Sequence, residues 1–193
     1  MIMHRAMQPL AMRNDTAPRS DPDLLRELAE GELGALGEIY DRHHESIRRF
    51  VARATFGADD IDDLVHETFL AAAKSADRYD GRPSSRPWLI GIAAQLLRRR
   101  RRGLGRWLAV LSSFGQSRAT GIDPRPALQA RSDVERALGK ISEAKRLTFL
   151  MAEAEGLDCQ EIASALGIPI GTVWTRLHAA RHELRRALES DEK

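Results

Sequence analysis

Residues 158–186 read DCQEIASALGIPIGTVWTRLHAARHELRR, two short helices joined by a tight turn. Asp158 and Glu161 form a D-x-x-E pair, the spacing of a capping box in which each side chain meets an open N–H of the first helical turn. The helix they start runs only to Leu166. Gly167 stands where a helix leaves through a left-handed residue, and Pro169 suits the start of the next one. In the second helix Val173, Leu177, Ala180, Leu184 and Leu188 share one face at steps of three and four. Thr172, Trp174, Thr175, Arg176, His178, Ala179, Arg181 and His182 are left outward. An outward face of hydroxyls, cations and one indole suits a DNA groove lined with phosphates and base edges. An ordinary helical hairpin is the plainer alternative. Against it, the first helix is too short for a stable bundle member, and Ala163 and Ala165 are small enough to let a second helix cross closely. The stretch therefore reads as a DNA-binding helix-turn-helix.

The rest of the 193 residues fits an all-helical protein: 42% are hydrophobic but only 5% aromatic, which points to cores of Leu, Ala and Ile. No run approaches the roughly 20 apolar residues needed to span a bilayer, and residues 1–20 lack the apolar centre of a signal peptide, so the expectation is a cytoplasmic protein without membrane insertion. The single cysteine, Cys159, excludes an internal disulfide framework and a multi-cysteine zinc site. A net charge of +2 hides a strong asymmetry. Asp59, Asp60, Asp62, Asp63 and Glu67 crowd one stretch, whereas residues 81–107 hold Arg82, Arg86, Arg98, Arg99, Arg100, Arg101, Arg102 and Arg106 with no acid. The basic block implies a polyanion, and the acidic one a cationic protein surface.

Periodicity divides the chain. Residues 1–22, with Pro9, Pro18 and Pro22, read as a disordered tail. Residues 23–102 form a first domain: one or two helices from Leu24 until Gly57, another over 60–77, a loop with Gly81, Pro83 and Pro87, and a helix over 88–102. Residues 103–130, with Gly103, Gly105, Gly115, Gly121, Pro124 and Pro126, read as a linker, although Trp107, Leu108, Val110, Leu111 and Phe114 require cover. Residues 131–193 form the second domain, which ends in the helix-turn-helix. The fold class is all-α, two small helical domains on a flexible linker.

Five consecutive arginines, Arg98 to Arg102, exceed what a helix C-terminus needs and would give steeply salt-dependent binding to phosphates. His43 with His44, and His178 with His182, raise a metal-dependent enzyme as a remote alternative. No HExxH motif completes either pair, so neither an enzyme nor a cofactor is expected.

Residues 155–181, EGLDCQEIASALGIPIGTVWTRLHAAR, resemble region 4.2 of sigma-70 family initiation factors, and residues 59–102, DDIDDLVHETFLAAAKSADRYDGRPSSRPWLIGIAAQLLRRRRR, resemble regions 2.2 to 2.4. The two matches stand in the family's order, cover about residues 24–102 and 131–188, and are similar to the small extracytoplasmic-function (ECF) group, which keeps only these two domains. The resemblance implies a dissociable subunit that directs bacterial RNA polymerase core to promoters and is held inactive by an anti-sigma factor. It implies that Thr172, Trp174, Thr175, Arg176, His178, Arg181 and Arg185 meet the −35 element. It assigns the −10 element to Arg82, Ser84, Ser85, Arg86, Trp88, Gln95, Arg98 and Arg99. Asp60, Asp63, Leu64, Glu67 and Phe69 would grip the clamp of the largest polymerase subunit. The chain departs from the family's pattern in lacking a loop aromatic near Ser85, in Gln95 for a frequent Asn, in His66 for Gln, and in Trp174 and Ala179 for cations. A stand-alone helix-turn-helix regulator is the nearer alternative, but it leaves the acidic patch and the linker apolars without a purpose.

Overall fold

A computed structural model describes residues 19–57, 60–113 and 133–191, and every regular element among them is helical. Asp59, Phe114 and most of the expected tail and linker lie outside these residues, as do the side chains of Trp107, Leu108, Val110 and Leu111.

The first half holds α1 (Asp21–Ala29), α2 (Gly34–Thr55), α3 (Ile61–Lys74), a 3₁₀ turn (Ala76–Arg78) and α4 (Arg86–Ser113). α1 starts inside the expected tail. Ser20 is its N-cap, accepting from the Asp23 N–H at 3.4 Å, and Pro22 falls in the first turn, where its missing N–H costs nothing. α2 ends through left-handed Phe56, at φ 57°, followed by Gly57 at φ 72°. α4 continues eleven residues past Arg102, through Gly103 and Gly105. Helical glycines cost only about 1 kcal/mol each against Ala, too little to stop a helix of this length.

Leu24, Ile39, Ile47, Phe50, Leu64 and Leu89 are fully buried where α1 to α4 meet. Each stabilises by about 1.5–3 kcal/mol relative to exposure. One buried polar group joins three of these elements. The Asp21 carboxylate accepts from the Ser85 N–H and hydroxyl, lies 2.7 Å from His43 Nε2, and pairs with Arg42.

The second half holds α5 (Asp133–Lys140), α6 (Glu143–Glu153), α7 (Cys159–Leu166) and α8 (Ile170–Asp191) around Leu147, Met151, Ile162, Val173 and Ala180. The two halves do not stand apart. α7 and α6 lie against α4, and α6 also lies against α2, so one continuous apolar core runs through both.

Candidate nucleic-acid interface

The helix-turn-helix has the local chemistry that its sequence requires. Asp158 Oδ1 accepts from the N–H groups of Gln160 and Glu161 at 2.8 Å each, and Glu161 Oε2 accepts from the Asp158 N–H at 2.9 Å. α7 leaves through Gly167 at φ 63°, and the Ile168 N–H returns to the Ala163 carbonyl at 3.1 Å. The carbonyl of Pro169 then accepts from Thr172 and Val173 at the start of α8. Val173, Leu177, Ala180 and Leu184 seat α8 on α6 and α7, while Leu188, nearer its end, is half-buried.

This seating fixes what α8 offers to DNA. Trp174 is 59% exposed, an unusual position for an indole, and Thr175, His178, Arg181 and Arg185 are also exposed. Thr172 and Arg176 are half-buried. The Thr175 hydroxyl donates to the Gly171 carbonyl at 2.9 Å, and Arg181 lies along Glu153 of α6, with Nε and Nη2 at 3.0 and 2.6 Å from one carboxylate oxygen. Burial pulls the Arg176 pKa down, and the neighbouring charge of Arg98 adds to the effect. α4 and α8, the two helices expected to meet DNA, thus bring Arg98 and Arg176 near one another.

Around α4, the Tyr79 hydroxyl donates to the Arg82 carbonyl at 2.6 Å and fixes the loop. Burial pushes that hydroxyl up to about 12, with the charges of Asp21 and Asp80 acting in the same direction, so it remains a donor. Trp88 is half-buried against Tyr79, with ring centroids 5.3 Å apart. Ser84 and Arg99 are exposed, and Arg98 is half-buried. Gln95 Nε2 donates to the Ala165 carbonyl at 3.1 Å, and Arg82 Nη2 donates to the Ser164 hydroxyl at 3.1 Å. Arg86 reaches Ser46, the Glu155 carbonyl and the Glu155 carboxylate. Three expected −10 residues therefore face the second half of the chain.

Three expectations need correction. Ser85 has no exposed surface: its carbonyl accepts from the Leu89 N–H at 2.9 Å as α4 begins, and its hydroxyl is given to Asp21. Leu64 and Phe69 are core residues, at 1% and 3% exposure, and Phe69 lies against Tyr40. The exposed apolar side chain of α3 is Leu70, at 57%. Its acidic neighbours are at the surface: Asp63 is exposed, while Asp60 and Glu67 both pair with Arg100 of α4. Of the histidine pair on α2, His43 is turned to Asp21, and His44 Nδ1 lies 3.2 Å from the Tyr40 carbonyl.

Sequence reasoning did not single out Gly91, Glu155, Ser164 or Ala165 as a group. One signal was present. Residues 89–94 read LIGIAA, apolar all round, and such a helix is covered on more than one face. Residues 39–106 match the family profile of sigma-70 region 2, and residues 131–184 that of sigma-70 region 4. Over 186 residues the chain is 30% identical to the RNA polymerase sigma factor NccH of Alcaligenes xylosoxydans xylosoxydans, an alignment spanning 92% of this chain and 99% of NccH.

The chain belongs to the sigma-70 family, in its ECF group.

The arrangement of this sigma factor also matches solved relatives. CnrH, known from Cupriavidus metallidurans, has been solved in complex with the cytosolic domain of CnrY, and superposes with a TM-score of 0.61 at 27% identity over 90% of this chain and 99% of that one. The sigma factor RpoE of Bartonella quintana shares the fold, with a TM-score of 0.58 at 22% identity over 86% of this chain and 99% of that one. In sigma-70 terms α2 to α4 carry region 2, and α5 to α8 carry region 4. Among the described residues no helix is long and apolar enough to cross a membrane.

Proposed function

We propose that this ECF sigma factor binds RNA polymerase core and reads its promoters in two parts, acting in the cytoplasm as an initiation subunit without catalytic chemistry of its own. The observation that carries the proposal is the face of α8 turned away from the core, where an exposed indole, two threonines and three arginines follow a turn fixed by the capping box of α7 and by left-handed Gly167. Trp174, Thr175, Arg176, His178, Arg181 and Arg185 enter the major groove at −35, with Thr172 at the helix start. Trp174 takes the place of a phosphate-binding cation and offers its ring to thymine methyls and sugars. Arg82, Ser84, Arg86, Trp88, Gln95, Arg98 and Arg99 serve the melted −10 strand, whose bases stack and whose phosphates meet the arginines. Asp60, Asp63 and Glu67, with Leu70 among them, meet cations and an apolar spot on the clamp. An anti-sigma protein covering these faces fits the same surfaces, and the complex of CnrH with the cytosolic domain of CnrY supports a partner of that kind.

The test reconstitutes holoenzyme from core polymerase and the full chain and sequences its transcripts from genomic template. Initiation at a shared pair of upstream elements is expected. Transcripts indistinguishable from those of core alone would remove the assignment.

A further inference from the structure

The second half of the chain covers the groups that the −10 strand is proposed to use, and the seam is built for that contact. At its centre α4 and α7 touch through backbone. A Cβ at Gly91 would meet the Ala165 carbonyl oxygen at 2.6 Å and the Ala165 Cβ at 2.8 Å, so only glycine fits without a shift. One turn further along α4, Gln95 donates to that same carbonyl, which lies in the last turn of α7 and has no partner within its own helix. Arg82 reaches Ser164 on the preceding residue.

The edge of the seam carries a catch. The Glu155 side chain is 4% exposed, and its carboxylate takes Arg53 of α2 at 2.9 Å on one oxygen and Arg86 of α4 on the other. Arg86 also donates to the Glu155 carbonyl at 3.0 Å and to Ser46 at 2.8 Å. A buried carboxylate shared by two arginines from the opposite domain ties the halves at this point, and parting them costs Glu155 both of its charged partners.

The far edge opposes closure. Arg98 stands near Arg176, and Arg101 near Arg146. Arg146 is 5% exposed, its Nε has no hydrogen-bond partner, and its guanidinium lies 4.8 Å from the Phe56 ring centroid. Glu155 and the Gly91 contact hold the halves together against this repulsion.

We infer that the free chain is self-occluded: α7 of the DNA-binding half occupies the −10 face of α4, with Glu155 as the catch, and the halves must part before promoter DNA can be read. This rests on the two-part reading of the promoter. Elements some 20 base pairs apart lie about 70 Å apart along DNA at 3.4 Å per pair, a span that two touching helices do not bridge. The stretch between Ser113 and Asp133 is long enough, at about 3.5 Å per extended residue, to let the halves separate by tens of ångströms. Polymerase core and promoter would supply the free energy of opening to the extent that each binds the open form more tightly.

The experiment compares the full wild-type chain with Glu155→Gln, which keeps shape while removing the charge, and with Gly91→Leu, which wedges the seam. Small-angle scattering of the free proteins should give the wild type a compact radius and both variants a larger one at unchanged helical circular dichroism. Binding of the free proteins to a fluorescent single-stranded oligonucleotide, taken from the −10 region of a promoter mapped by transcript sequencing, should tighten about tenfold for Glu155→Gln if the open fraction rises from a tenth to nearly all. A wild-type radius already extended, or unchanged radii in both folded variants, would overturn the inference. So would larger radii with unchanged oligonucleotide affinity. Should Gly91→Leu lose helicity, Glu155→Gln decides alone. Failure of wild-type holoenzyme to initiate would count against the promoter reading instead, and the scattering would still judge the seam.

Discussion

The carboxylate of Asp21 receives two hydrogen bonds from Ser85, one from its N–H and one from its hydroxyl, both at 2.7 Å. The first helix is thereby tied to the residue that precedes α4. Burial would raise the acid's pKa, but the Ser85 bonds, Arg42 and the charge of His43 more than offset it and hold it at about 2, below the ordinary 3.8. A depressed carboxylate pKa contributes stability that is complete above the unfolded value and lost as pH falls through the folded one. The window is therefore about pH 4 down to about 2, and the contribution about 2 kcal/mol. Denaturation of wild type and Asp21→Asn should differ most near neutrality and converge by about pH 2; a constant difference across that range would refute this account.

The capping box gives a second test. Asp158→Ala removes the acceptor of two N–H groups, and should lower stability by about 1 kcal/mol in urea titrations. Glu161→Gln keeps the return bond to the Asp158 N–H and should cost less.

Trp174 separates folding from binding. It touches little, so Trp174→Ala should shift stability by no more than about 0.5 kcal/mol. Affinity for a −35 duplex should fall all the same, by about 1–3 kcal/mol if the ring meets a base. A large loss of melting temperature would mean that the indole belongs to the core after all.

On α3, neighbouring apolar residues should behave oppositely. Leu64→Ala should cost about 2–5 kcal/mol of stability because it opens a cavity in the core. Leu70→Ala should leave stability nearly unchanged and weaken co-purification with polymerase core. Asp63→Lys with Glu67→Lys should abolish that association while the chain stays folded, as circular dichroism would report.

What was legible in the sequence follows from distance along the chain. Asp158, Glu161, Gly167 and Pro169 act within a few residues of one another, so their chemistry is visible in the letters, and the helix-turn-helix appears where they put it. Pro22 misled because the same residue that ends order in a tail is welcome in a helix's first turn. Gly103 and Gly105 read as breakers, although α4 runs past them. Ser85, placed by family likeness in a DNA pocket, has a partner 64 positions away in Asp21. Gly91 and Ala165, or Arg86 and Glu155, meet only once both halves are folded, and no local periodicity encodes such a meeting. The apolar run at residues 89–94 hinted at cover without naming what provides it.

Arg100 bridges Asp60 and Glu67, one bond being 2.9 Å, and so withdraws a cation from the basic run. An exposed bridge of this kind is worth little in stability, but it sets an order of events. Indiscriminate attachment to the chromosome through the basic run would be weaker by one phosphate partner while the acids keep their arginine. A polymerase surface that takes Glu67 and Asp60 for its own cations would hand Arg100 back to the nucleic acid. Docking on the enzyme and gripping the promoter would then be thermodynamically linked through a single side chain, each raising the affinity for the other.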